Sequence, residues 1–213
     1  MTLAHPNAVG PPLRRAPRQS RSEERTNRIL SAAAKLISEN PPDSVTTTQI
    51  ATAAGTSVAS IYRYFADVDA IFVSLLHQAE ADLLVEIRKG FSLAGDDWRD
   101  AISRALDIQV DFLENKDTGF HALWFGSTGA LAAQAARSNT ATDDELTMML
   151  VDELSESRRE RLGANPETTV RLVVGILTKG TELAYSEAQS QADPVVIAET
   201  KRAAIAYLET YLD

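Results

Sequence analysis

The segment Thr46-Thr47-Thr48-Gln49-Ile50-Ala51-Thr52-Ala53-Ala54-Gly55-Thr56-Ser57-Val58-Ala59-Ser60-Ile61-Tyr62-Arg63-Tyr64-Phe65 decides the fold. Thr46 and Gln49 have the spacing of a capping box, in which the hydroxyl meets the third amide of a helix and the Gln side chain reaches back to the cap. A helix therefore begins there, turns Ile50, Ala51 and Ala54 inward, and stops at Gly55, which tolerates the left-handed backbone of a tight turn. Ser57 is the natural cap of a further short helix running from Val58 to Tyr64. Two short helices joined by a Gly-containing turn of about three or four residues form a helix-turn-helix.

Working outward, Ile29, Leu30, Ala33, Leu36 and Ile37 recur at helical spacing and predict a first helix from Ser22 that Asn40-Pro41-Pro42 ends. Residues 1–20 hold four prolines and a glycine without hydrophobic periodicity, and are expected to form a flexible arm. Downstream of Asp67, Ile71, Phe72, Leu75, Leu76, Ala79 and Leu83 predict a long helix. Further helices are expected at 98–115, 120–137, 143–162, 166–189 and 194–212, with Pro166 and Pro194 in the first turn, where proline costs least. No segment alternates with period two. The expected fold is all-α, with a three-helix N-terminal helix-turn-helix domain (21–66) followed by a larger helical domain (67–213).

The net charge of −9 would disfavour a nucleic-acid partner, but its distribution is uneven. Residues 1–64 carry eight Lys and Arg against four Asp and Glu; residues 65–213 carry thirteen against twenty-six. Arg14, Arg15, Arg18, Arg21, Arg25 and Arg28 crowd one short stretch, the electrostatic footprint of a DNA-contacting arm and helix start. Arg14, Arg15 and Arg18 are expected to reach an adjacent minor groove. The absence of cysteine excludes disulfides, thiolate catalysis and thiolate-bound zinc. His5, His77 and His121 are too scattered to suggest a metal site, and no cofactor is expected. With neither a reactive constellation nor a phosphate-cradling loop, the chain is not expected to be an enzyme. No stretch is apolar enough to span a membrane, and a cytoplasmic protein is expected.

The set Thr46, Ile50-Ala51, Ala54-Gly55, Ser57, Ile61-Tyr62 and Tyr64-Phe65, with Ile29-Leu30 and Ala32-Ala33 before it, resembles the N-terminal signature of the tetracycline-repressor (TetR) family. The resemblance implies a homodimeric repressor that binds a near-palindromic duplex and leaves it when a small effector binds the second domain. A recognition helix enters the major groove by its N-terminal end, so Ser57, Val58, Ala59 and Ser60 are the candidates for base edges, with Arg63 able to reach guanine or phosphate. Thr46, Thr47 and the free amides beside them, with Tyr62 and Tyr64, are the candidates for phosphate; for Tyr62, core packing is the competing reading. The family usually places a phosphate-gripping lysine three residues after Phe65. Here Val68 stands between Asp67 and Asp69. That departure motivates an alternative: a helical interaction protein of the same fold whose DNA binding is weakened or lost.

In the second domain, Trp98, Phe112, Phe120, His121, Trp124, Phe125, Met148 and Met149 are the candidates for an apolar effector pocket, although the same residues would serve as filled core. Val170, Val173, Val174, Leu177, Ile197, Ala204, Leu208 and Tyr211 are the candidates for a dimer interface, again with intramolecular core as the competing reading.

Overall fold

The computed structural model describes residues 16–185 and 191–212, and these form ten α-helices without a strand. The first three make a small head: α1 (Ala16–Glu39), α2 (Thr47–Ala53) and α3 (Val58–Ile61), with a 3-10 turn at Pro42–Ser44. The body follows as α4 (Val68–Ala94), α5 (Trp98–Glu114), α6 (Phe120–Gly126), α7 (Gly129–Glu153), α8 (Glu156–Arg161), α9 (Pro166–Ala184) and α10 (Pro194–Leu212).

Local chemistry accounts for most of the boundaries. Asp67 caps α4 by accepting from the Ala70 amide at 2.8 Å, Asp97 caps α5 through the amides of Arg99 and Asp100, and Asn165 caps α9. Pro166 opens α9 and Pro194 opens α10, as expected.

Four boundaries differ from the sequence reading. Helix α1 starts at Ala16, so residues 16–20 are helical rather than part of an irregular arm; once a helix is nucleated, each added turn needs no apolar stripe of its own. The helix expected at 120–137 breaks after Gly126, where Ser127 is extended and α7 begins. Helix α7 then runs unbroken through the gap expected at 138–142, and the chain bends instead at Leu154, where Ser155 caps α8. Helix α9 runs to Ala184, with Tyr185 following it; positions 186–189 of the expected helix lie outside the described residues. Thr, Ser and Asn are weak helix formers that tertiary packing readily overrides, which is why these boundaries escape a local reading.

One continuous core runs through head and body: Ile29, Ala33 and Ile37 of α1, Ile50 of α2 and Ile61 of α3 join Phe72 and Leu76 of α4, then Leu106, Phe120, Leu123 and Val173. Where α1 meets the loop before α6, Gly119 has φ +65°, and a β-carbon on it would lie 2.7 Å from Ile37 Cδ1 and 3.2 Å from Ala34 Cα. The Thr128 hydroxyl donates to Asp43 beside the same junction. In the body, α9 and α10 pack closely because Gly180 leaves room for Thr200.

Candidate nucleic-acid interface and effector region

The reading head is built by two caps and one glycine. Thr46 Oγ1 accepts from the Gln49 amide at 3.3 Å and donates to Gln49 Oε1, which also accepts from the Thr46 amide at 2.8 Å. At the other end of α2, Gly55 takes φ +61°, and the amides of Gly55 and Thr56 close onto the carbonyls of Thr52 and Ala51. This turn delivers Ser57, whose hydroxyl accepts from Ser60 N at 3.1 Å and starts α3. Helix α3 is shorter than expected. After Ile61 the chain tightens, Tyr64 N bonding Ile61 O at 2.8 Å, so Tyr62, Arg63 and Tyr64 lie in a turn rather than in a regular helix.

Burial sorts the candidate contacts. Tyr62 is 56% exposed, which removes core packing as its role, and Ser57, Ala59 and Arg63 are exposed beside it. Val58 and Tyr64 are half-buried against the core, so each offers only part of its surface to a partner. Thr46 is exposed, but its hydroxyl proton is already given to Gln49, and a phosphate would have to compete for it. Thr47 follows it on the first turn of α2, where helix amides point outward without intrahelical partners. Val68 packs partly against the core, and its neighbour Asp67 is occupied as the α4 cap. Arg28 and Arg63 are exposed and form no ion pair among the described residues. Arg14 and Arg15 lie outside the described residues, as do the side chains of Arg18 and Arg21.

The expected effector residues do not line one cavity. Phe112, Phe120 and Trp124 stack edge to face at 5.4 and 5.0 Å between centroids, and His121, Phe125 and Tyr185 form an adjoining group at 5.0 to 5.3 Å. Phe120 and Tyr185 are buried, and Phe112, Trp124 and Phe125 are half-buried against the core, so the cluster is core packing that joins α5, α6 and the end of α9. Burial, with the carboxylates of Glu114 and Asp111 nearby, pushes the Tyr185 phenol above its ordinary range. Trp98 sits elsewhere, beside a cavity of about 50 Å³ that it shares with Phe91, Leu150 and Val173. Met148 is exposed, whereas Met149 is buried at the edge of a groove of about 660 Å³ between α4 and α7. That groove, with His77, Arg88 and Arg137 in its walls, carries no local sequence signal, because it forms between two helices that other elements separate in the chain.

The expected interface residues are also redistributed. Val170, Val173, Val174, Leu177, Ala204 and Leu208 are buried within the chain itself, and Ile197 and Tyr211 are half-buried against the same core. The apolar surface that α9 and α10 do present is Leu172, Leu183 and Val195, at 52%, 52% and 67% exposure, around a groove floored by Gly175 and Gly180. Helix α9 is apolar on two sides, and the sequence pattern alone could not say which side is turned inward.

Comparison with known proteins agrees with this architecture. Residues 29–75 match the signature described as "Bacterial regulatory proteins, tetR family", and residues 97–208 match the "Tetracyclin repressor-like, C-terminal domain". The chain belongs to the TetR family of bacterial regulatory proteins. Among curated relatives, an uncharacterized HTH-type transcriptional regulator of Mycobacterium tuberculosis is 37% identical over 90 residues, which cover 42% of this chain and 45% of the relative. The chain thus matches less than half the length of that protein. A TetR-family transcriptional regulator from Streptomyces coelicolor superposes with a TM-score of 0.66 at 23% identity, covering 88% of this chain and 99% of the other. The fatty acid degradation regulator FadR from Bacillus halodurans gives 0.61 at 16%, covering 86% and 94%. These two likenesses concern the fold.

Proposed function

We propose that the chain is a homodimeric DNA-binding transcriptional regulator, a repressor that leaves its operator when a small effector binds the body. The observation that carries the reading is the exposed face at the end of the helix-turn-helix: Tyr62, Arg63, Ser57 and Ala59 turn outward, although an aromatic in this position would serve the core if no partner were meant to meet it. Residues 21–66 act as the reading head and 67–213 as the effector-binding and dimerising body. Ser57, Ala59 and Ser60 face base edges while Tyr62 and the α2 amides hold phosphate. Dimerisation uses the exposed Leu172, Leu183 and Val195 face rather than the buried valines. A two-fold pair presents its recognition helices about one duplex turn, roughly 34 Å, apart. Such a protein works in the cytoplasm, where the bacterial chromosome lies, and needs no catalytic centre or cofactor.

Selection of bound duplexes from a random pool by the purified chain, repeated with Arg63→Ala, tests the reading. Enrichment of a near-palindrome, weakened in the variant, is expected. No enrichment at low salt would refute it and favour an interaction protein of the same fold, a reading supported by the acidic start of α4 and the internally engaged Thr46.

A further inference from the structure

The α4–α7 groove has a polarity that defines what it holds. Helix α7 starts beside the head, where Thr128 bonds Asp43, and α4 starts directly after Phe65; at their other ends, Phe91 of α4 and Leu150 and Leu154 of α7 border the same small cavity. The two helices therefore run the same way, and His77 of α4 lies at the end of the groove that also holds Gln134 and Arg137 of α7. At this end the accessible groups are donors. His77 and Arg137 are exposed, and Gln134 Oε1 accepts from Arg137 Nη2 at 3.0 Å, so the Gln134 group not used in that bond is its amide NH2. The carboxylate at this end, Glu80, is 4% exposed and already engaged by a neighbour.

Away from the head the walls gain Ala81, Leu84 and Val85 of α4 and Ala141 of α7, with Thr142 and the exposed Glu145 along the α7 side, and Arg88 and Met149 close the far end. Positions 77 and 88 are eleven residues apart, about 16 Å along a helix. At about 660 Å³ the groove is of the size that holds a small molecule. Arg88 and Arg137 are matched in the lining by Glu80 and Glu145, so the anion-accepting character is local to the end near the head, where His77, Gln134 and Arg137 meet.

We infer that this groove binds a monoanionic amphipath, its anionic head held by His77, Gln134 and Arg137 and its apolar chain lying along Leu84, Val85 and Met149. The inference deepens the proposed function by assigning the effector's site and chemical class, and rests on that reading only for the link to DNA. Because α4 also packs against α1, a chain lodged against its middle turns is placed to shift the head.

Calorimetry with the full chain tests the site, using dodecanoate below its micellar concentration and dodecyltrimethylammonium as a probe of equal tail and opposite charge. Dodecanoate is expected to bind saturably, at least tenfold more tightly than the ammonium. Arg137→Ala and Val85→Glu, both at exposed positions and checked for unchanged circular dichroism, are each expected to weaken it at least tenfold. Absent saturable binding, equal binding of the two probes, or parent-like affinity in both variants would overturn the inference. Release of a selected duplex by dodecanoate is read separately: dodecanoate bound with the duplex retained would refute effector-linked repression while leaving the site standing.

Discussion

Replacing Gly119 and Gly55 separately by alanine separates two costs that share one backbone conformation. Both residues sit near φ +60°, where an L side chain costs about 1–2 kcal/mol. They differ in surroundings. A β-carbon at Gly55 meets nothing within 4 Å, whereas one at Gly119 falls 2.7 Å from Ile37 Cδ1, 2.9 Å from Ile37 Cγ1 and 3.2 Å from the Ala34 backbone. Overpacking of that kind adds roughly 1–3 kcal/mol, because Ile37 is itself only 2% exposed and the α1 backbone cannot move without dragging the head. Gly55→Ala should therefore cost about 1–2 kcal/mol and Gly119→Ala about 2–5 kcal/mol. Urea unfolding followed by circular dichroism measures both, at one fixed chain concentration because assembly would shift the midpoint. Adding Ile37→Ala to Gly119→Ala should cost less than the two changes summed, since the second removes what the first strikes. Equal destabilisation by Gly55→Ala and Gly119→Ala, within about 0.5 kcal/mol, would refute the close α1 junction.

Four further substitutions probe the interface, the assembly and one half-buried acid. Val68→Lys restores a cation where the α4 start now offers none, and should steepen the salt dependence of duplex binding by about one unit in log–log slope; an unchanged slope in a salt titration would show that phosphate does not approach this turn. Leu172→Glu should convert the proposed dimer to monomer in sedimentation without loss of helicity, whereas Val174→Ala, in the core, should lower the melting temperature and leave assembly intact; the reverse pattern would return the proposed interface to the buried valines. Burial pushes the Asp143 carboxyl up to about 6 from an ordinary 3.8, with Glu182 and Asp144 reinforcing the shift and the Thr178 hydroxyl, which donates at 2.9 Å, opposing it. The folded state thus holds this proton more tightly, and the associated stability is full below the ordinary carboxylate range and lost as pH rises through about 6. Asp143→Asn should gain stability relative to the parent between pH 4 and pH 7, read from melting temperatures; a constant difference would sink the assignment.

Much of the fold was legible because its signals are local. A threonine and a glutamine three apart, a glycine after the last helical residue and a serine before the next helix each act through neighbouring amides, so the head could be read from residues 46–65. Prolines 166 and 194 fixed two further helix starts for the same reason. Short signals failed where packing chose among weak alternatives, as at the break after Gly126 and the unbroken passage of α7 through 138–142.

The sequence by itself determined that this chain is helical, that a basic head precedes an acidic body, and that the head carries the TetR signature, because capping, periodicity and charge are properties of adjacent residues. Only the tertiary structure decided which way each apolar helix face turns: Tyr62 outward, the aromatic cluster of α6 inward, Val173 and Val174 into the core and Leu172 to the surface. It also made the α4–α7 groove, whose walls are brought together by folding alone. A hydrophobic stripe states that a face must be covered, and what covers it depends on the positions of all the other helices.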